Sequence, residues 1–345
     1  MPTLKDIARD CGFSVSVVSR ALNPNPDQQV AAETKKRIEE SMRKLHYRRN
    51  HTASLLRRRR SSAIGIFLPN HHDALMADLV IGLSKVAIEY DFQCNFYFGL
   101  NEADYLSFLE QVNDAGSSGL LTFAPRTDQP LERFHAALEE YQRGGGSVII
   151  INVPEKDYPG IPVQNIDDAE GGRIAARHLF EIGCKHFFHL TQSGKSFIQG
   201  ARCVGFAEEI RKHGMRSELF HIPSVNFHEY DPTVLREFIR ALPEHSVGIF
   251  ATSDYLALAL MLELHRMGRG DEIGREIRVV GFDNMPGSCY AQPPLTTLIQ
   301  PFGALGEMAM RRLISAITRE PAPEKNEPVP TLIIRESSVK DVERS

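Results

Sequence analysis

No stretch of this chain approaches the roughly 18 consecutive apolar residues that a membrane span needs. Its N-terminus has no apolar core of the kind an export signal carries, which predicts a cytoplasmic protein with no membrane partner. Cysteine is sparse. Cys11, Cys94, Cys184, Cys203 and Cys289 are odd in number and scattered, with no two at metal-ligand spacing, and they suit a reducing compartment. Enzyme signatures are missing too: there is no HExxH, CxxC or GxSxG. Ser193-Gly194-Lys195-Ser196 looks like a phosphate loop, but His189 stands where that motif needs its first glycine. A helix stop is enough to explain Gly144-Gly145-Gly146. The chain therefore reads as a non-enzyme, with no catalytic residue, metal or cofactor expected.

What is present points to several domains. At 345 residues the chain exceeds one core of ordinary size, so two or three domains are expected. The net charge of -4 hides a split: residues 1–60 hold 14 Lys and Arg against 6 Asp and Glu, and the remainder 26 against 38. A basic head on an acidic body suits a head that meets a polyanion, or else a solvated charged face.

The head opens with two short helices and a turn. Leu4, Ile7, Ala8 and Cys11 lie at spacings of three and four, one apolar helical face. Gly12 supplies the tight turn and Ser14 can cap a second helix. In that helix Val18 and Leu22 face the first, leaving Val15, Ser16, Val17, Ser19 and Arg20 outside. This is a helix-turn-helix whose second helix fits a DNA major groove. The segment from Asn23 to Asp27 is a rigid proline loop, and Gln29 to Leu45 reads as a third helix with Ile38, Met42 and Leu45 on one face. Residues 47–62 are too basic and too poor in apolar side chains to pack alone.

From Ala63 onward short apolar strands alternate with amphipathic helices, first to about Val153 and again from Val163 to Phe282. Such alternation argues for βαβ units on two parallel sheets, with small ligands at the strands' carboxyl ends.

The matching run is Thr3, Leu4, Asp6, Ile7, Ala8, Cys11, Gly12, Phe13, Ser14, Val18, Ser19, Arg20, Leu22 and Asn23. With IGIFLP at 64–69, GIFATSD at 248–254, VVGFDN at 279–284 and PPLTTLIQP at 293–301, the chain resembles the lactose-repressor (LacI/GalR) family of bacterial transcription regulators. The resemblance implies an all-α three-helix head plus an α/β, two-lobed, periplasmic-binding-protein-like effector domain with parallel sheets. It implies a helix-turn-helix DNA-binding domain over 1–48, a hinge helix or linker over 49–62, and a bilobed ligand-binding and dimerisation domain over 63–345. Lobe 1 would take about 63–162 and 295–322, and lobe 2 about 163–292 and 325–338. The expected partners are double-stranded operator DNA, a carbohydrate-like effector, and a second copy in a homodimer or tetramer.

Residue roles follow from the same match. Val15 and Ser16 are expected on base edges, Arg20 on a guanine edge or a phosphate, and Thr3, Ser14, Ser19 and Asn23 on phosphates. Val17 stands where the family usually has a threonine directed at phosphate. Asn50, Ala53, Leu56 and Arg57 form the hinge, where Leu56 would wedge into the minor groove; the alternative is a plain linker touching phosphate. Arg202, Asp254 and Asp283, with Ser253 beside Asp254, fall at effector positions. An inter-lobe ion pair or a helix cap is the alternative for each, above all for Asp254. The loop Asn70-His71-His72-Asp73 lacks the family's aromatics; its two adjacent histidines would give pH-sensitive or anionic contacts or are idle loop residues, and His72 and Asp73 are effector candidates. Arg126, Asn152 and Phe227 complete the effector candidates. Leu75, Leu79, Leu83 and Val86 are either dimer contacts or core. Rival readings are a solute-binding protein, an enzyme on the same scaffold, and a regulator without an effector pocket.

Overall fold

The computed structural model describes residues 4–21, 30–45, 62–69, 74–99, 101–125, 131–192, 197–226 and 229–339. The chain divides into two units, Met1–Arg60 and Ser61–Ser345.

In the first unit, the apolar face read from the sequence is buried on α1 (Leu4–Cys11) through Ile7, Ala8 and Cys11. Gly12 follows at φ +73°, and the Phe13 N–H donates to the Ala8 carbonyl at 3.1 Å. A left-handed glycine with that long-range bond is a Schellman stop. The second helix, α2 (Val15–Ala21), starts under Ser14, whose hydroxyl accepts from the Val17 N–H at 3.3 Å. The third, α3 (Ala32–Lys44), begins three residues later than the sequence pattern suggested, behind a cap residue, Ala31, that offers no side-chain bond. Ile7, Ala8, Cys11, Val18 and Ile38 close the core. Val15 and Val17, expected outside, pack partly against it, because a helix of seven residues has too little surface to keep both valines off its neighbours.

The second unit holds two sheets built alike. The first contains β1 (Ala63–Pro69), β2 (Gln93–Gly99), β3 (Gly119–Thr122), β4 (Ser147–Ile151) and β5 (Val163–Gln164), in the order β2-β1-β3-β4-β5. Its helices are α4 (Ala74–Glu89), α5 (Glu102–Asp114) and α6 (Glu132–Arg143). Every strand pair is parallel, and β1 reads as a continuous apolar run because both its faces are covered.

The second lobe has α7 (Asp168–Glu181), β6 (His186–Gln192), α8 (Phe197–Lys212), β7 (Ser217–Ile222), and a small hairpin of β8 (Ser224–Asn226) and β9 (Glu229–Tyr230). It continues through α9 (Pro232–Ala241), β10 (Val247–Ala251), α10 (Asp254–Arg266), β11 (Ile277–Phe282), β12 (Thr296–Ile299), α11 (Phe302–Thr318) and β13 (Thr331–Ile333). The order β7-β6-β10-β11-β12 repeats that of the first lobe, with β13 added antiparallel at the edge. In both lobes the opening strand, β1 or β6, lies between its successor and the next strand along. That is a topological switch point, where doubly wound sheets bind ligands.

The helix α11 returns to the first lobe and packs on α4. Both principal helix pairs touch through glycine. A Cβ on Gly172 of α7 would strike the Arg202 carbonyl, and one on Gly205 of α8 the Ala169 carbonyl. In the first lobe a Cβ on Gly82 would strike the Gly303 carbonyl, and one on Gly306 the Leu79 carbonyl. Leu75, Leu79, Leu83 and Val86 lie in the core, so of the two readings open for them packing holds; the exposed apolar side chains of α4 are Ile81 and Ile88. Among the described residues, no helix is long and apolar enough to cross a membrane.

Candidate functional site

On the head, α2 presents its polar side outward. Ser14, Ser16 and Arg20 are exposed and Ser19 half-buried. The Ser14 and Ser16 hydroxyl oxygens lie 3.0 Å apart, and Arg20 Nε donates to the Ser16 carbonyl one turn back at 3.4 Å. These are short hydrogen-bonding groups on a helix held by two others, the arrangement a groove-reading element requires. Lys44 of α3 meets the Asp10 carboxylate of α1 at 2.6 Å and holds that carboxyl below the usual range.

In the second lobe, Arg202 lies at the switch point between β6 and β10. It is 3% exposed. Its Nε donates to Asp168 Oδ1 at 2.7 Å and its Nη1 to the Thr252 carbonyl, just past β10, at 2.7 Å. Asp283 Oδ1 lies 3.7 Å from Nη1, and the guanidinium carbon 3.7 Å from the Phe282 ring centroid. The second terminal nitrogen, Nη2, is buried with no hydrogen-bond partner. A buried N–H left unpaired costs about 1–3 kcal/mol, so a ligand oxygen placed there recovers more than a surface contact would. Burial raises the Asp168 carboxyl, and Arg202 opposes that rise.

Asp283 follows β11 with φ +122°, in the region that favours glycine, and its Oδ1 accepts from Gln300 Nε2 at 2.6 Å. Asn284, at φ +53°, accepts from Arg335 at 2.8 Å. Two consecutive residues in such conformations mark a turn shaped by its contacts and not by local preference. Asn152, at the end of β4, has φ +57° and a buried Oδ1 without a partner.

Asp254 sits in the interior, with no exposed surface. It accepts from the Met285 N–H at 2.8 Å, from Ser288 Oγ at 2.5 Å and from Thr297 Oγ1 at 2.5 Å. Burial pushes its carboxyl up. Ser253 caps α10 by accepting from the Leu256 N–H at 3.3 Å. The structure thus brings Arg202 and Asp283 together, ties Asp254 to the chain itself, and uses Ser253 as a cap. Reasoning from sequence passed over Asp168, the Thr252 carbonyl, Phe282 and Gln300. Phe282 and Gln300 lie within quoted motifs but carry no mark of a binding role there, and nothing local marks a backbone carbonyl as a member of a site. Thr3, Asn23, Asn50, Ala53, Leu56, Arg57, His72, Asp73, Arg126 and Phe227 lie outside the described residues, as does the loop at 193–196. Among the described residues, no group of three or more His, Cys, Asp or Glu could hold a metal ion.

Comparison with known proteins matches both parts of the chain. Residues 3–50 match the model of bacterial regulatory proteins of the lacI family, and residues 176–338 that of a periplasmic binding protein-like domain. The ribose operon repressor of Halalkalibacterium halodurans is 28% identical, over 98% of this chain and 97% of its own length. Among solved structures, a lac repressor dimer bound to operator and the anti-inducer ONPF superposes with a TM-score of 0.71 at 21% identity, over 98% of this chain and 99% of that one. A complex of the transcriptional regulator CelR with cellobiose gives 0.65 at 22% identity, over 98% and 100%. From the helix-turn-helix head through both lobes, the chain is thus similar to bacterial regulatory proteins of the lacI family.

Proposed function

We propose that this chain is a cytoplasmic repressor that grips a near-palindromic operator as a homodimer and answers to a small carbohydrate-like effector. The observation that carries the first half is the exposed polar side of α2, with Ser14, Ser16 and Arg20 outward on a three-helix head. Residues 1–48 serve as the DNA-binding domain, 49–62 as the hinge and 63–345 as the effector and dimerisation body. Exposed Ile81 and Ile88 on α4 are apolar surface that the first lobe offers a second copy.

The test is selection from a randomised duplex library followed by titration. The protein should enrich one dyad-symmetric site, and its affinity should fall by roughly 10³–10⁵ between low and moderate salt if about 6–10 phosphates are neutralised. Failure to shift any duplex at low ionic strength, with or without small molecules, removes the reading.

The second half rests on the buried, unpartnered Nη2 of Arg202 at the switch point. That feature also argues against a regulator whose pocket has lost its ligand, since nothing among the described residues uses the nitrogen. A relative named as a ribose operon repressor, and a neighbour solved with cellobiose, favour a sugar. Thermal shift against neutral sugars, sugar phosphates and nucleobases should find one ligand that raises the melting temperature. Arg202→Lys keeps a cation for Asp168 but loses the second nitrogen. That variant should lose the thermal shift and keep duplex binding; an unchanged shift takes Arg202 out of the pocket.

A further inference from the structure

We propose that Arg37 of α3 is the positioning residue that holds the DNA-reading helix at its working angle. This rests on α2 being that helix. The last carbonyls of a helix have no intrahelical partner. In α1 the Phe13 N–H takes the Ala8 carbonyl, which leaves that of Cys11 to be satisfied otherwise. Arg37 Nη2 donates to it at 3.2 Å. The guanidinium thereby sits at the negative end of the α1 dipole, where a cation is favoured. The same group lies over the Phe13 ring, 4.9 Å from its centroid, within cation–π range.

One side chain of the third helix thus grips the turn on both sides of Gly12. The turn is otherwise held by the Phe13 N–H bond to the Ala8 carbonyl and by Phe13 packing on the core. Phe13 is half-buried against the head's core, and the next residue is Ser14, which starts α2. A change in the tilt of Phe13 passes to α2 with no flexible residue between them. Arg37 acts through the turn and not through DNA.

The experiment compares wild type with Arg37→Ala, Arg37→Lys and Phe13→Leu, using the site that wild type selects from a randomised library and a scrambled duplex of equal length. Circular dichroism, with stoichiometric titration of the DNA-binding-competent fraction, counts only folded, competent protein, so a lost fold cannot pass for a lost angle. Arg37→Ala should cut the ratio of specific to scrambled affinity about tenfold, on the scale of one charged hydrogen bond and one exposed cation–π contact. The slope of log affinity against log salt should stay as in wild type. Phe13→Leu keeps every charge and should show the same loss, while Arg37→Lys, still cationic at the Cys11 carbonyl, should recover part of it. An unchanged ratio in Arg37→Ala overturns the proposal. So does a slope lowered by about 0.9 per head, which would make Arg37 a phosphate contact. A wild-type protein that binds no duplex defeats the DNA reading itself, a result distinct from either.

Discussion

Replacing Asp254 by alanine should lower the melting temperature of the body by about 10 °C, whether or not a ligand is present. The carboxylate is wholly buried and accepts from a backbone N–H and two hydroxyls. Alanine strands those donors in a site that also loses volume, and each buried group left unpaired costs about 1–3 kcal/mol. Contributions of neighbours do not add, so the total is roughly 3–5 kcal/mol; for a unit of this size each kcal/mol moves the midpoint by about 2–4 °C. Asp254→Asn retains one acceptor oxygen and should cost less than half as much. Burial raises the carboxyl of Asp254, so the folded state takes up its proton more readily than the unfolded chain does. Wild type should therefore gain stability relative to Asp254→Asn as the pH falls through the raised value, and lose it as the pH rises. Thermal melts over a pH series measure all three effects. If Asp254→Ala melts like wild type yet no longer responds to ligand, the carboxylate belongs to the ligand and the structural account fails.

The second large effect is an acid weakness centred on His189. This residue lies on β6, 4% exposed, with its ring 5.3 Å from that of Phe206 and its Nδ1 unpartnered. Burial, with neighbouring His221 adding to it, brings the imidazole down from 6.5 to about 4, against a hydrogen bond with the Cys203 backbone that favours the charged form. Below about pH 6.5 the unfolded chain gains a proton there that the folded chain refuses. Stability falls until about pH 4, where the folded form also protonates. At 1.36 kcal/mol per pH unit this is about 3 kcal/mol. His178, held by Ser338 at 2.8 Å and also lowered by burial, adds in the same sense. Urea midpoints for wild type and His189→Phe from pH 7 to pH 4 isolate the single residue. The difference between the two curves should grow steadily as acid is added, and a flat difference would show that His189 is protonated in the native protein at no cost.

Much of the architecture was legible in the residues because periodicity and punctuation agree. The strands Val247–Ala251 and Ile277–Phe282 lie in the stretch from Val163 to Phe282 whose alternation pointed to a parallel sheet. Two features defeated local reading for physical reasons. The helix α8 starts at Phe197, where Phe197 and Ile198 are adjacent and give no helical apolar spacing to read. The strand β12 lies in a motif recognised as a string, but its partners β11 and β13 are distant in sequence.

The site was legible to a similar depth. Arg202 and Asp283, which the structure brings together, were singled out by type and position. The groups that aim them were not, because a carbonyl such as that of Thr252 has no signature in a sequence. Asp254 is the instructive case. A carboxylate at the end of a strand looks the same on paper whether it faces a ligand or three donors of its own chain, and only depth in the fold separates the two.

The glycine seams have a mechanical consequence. Where backbone rests directly on backbone, as at Gly172 and Gly205 or at Gly82 and Gly306, no side chain is available to slide or change rotamer, and each pair behaves as one stiff plate. Any change of shape that a bound molecule imposes has to be taken up elsewhere, in the strips of chain that join the plates. Among the bonds that fasten those strips are Arg312 to the Val163 carbonyl at 2.8 Å, Gln164 to the Asn326 carbonyl at 2.7 Å, and Gln300 to Asp283. Stiffness in the plates thus concentrates compliance in such polar fastenings, and substitutions there should alter how strongly the two ends of the molecule sense each other while leaving each end intact.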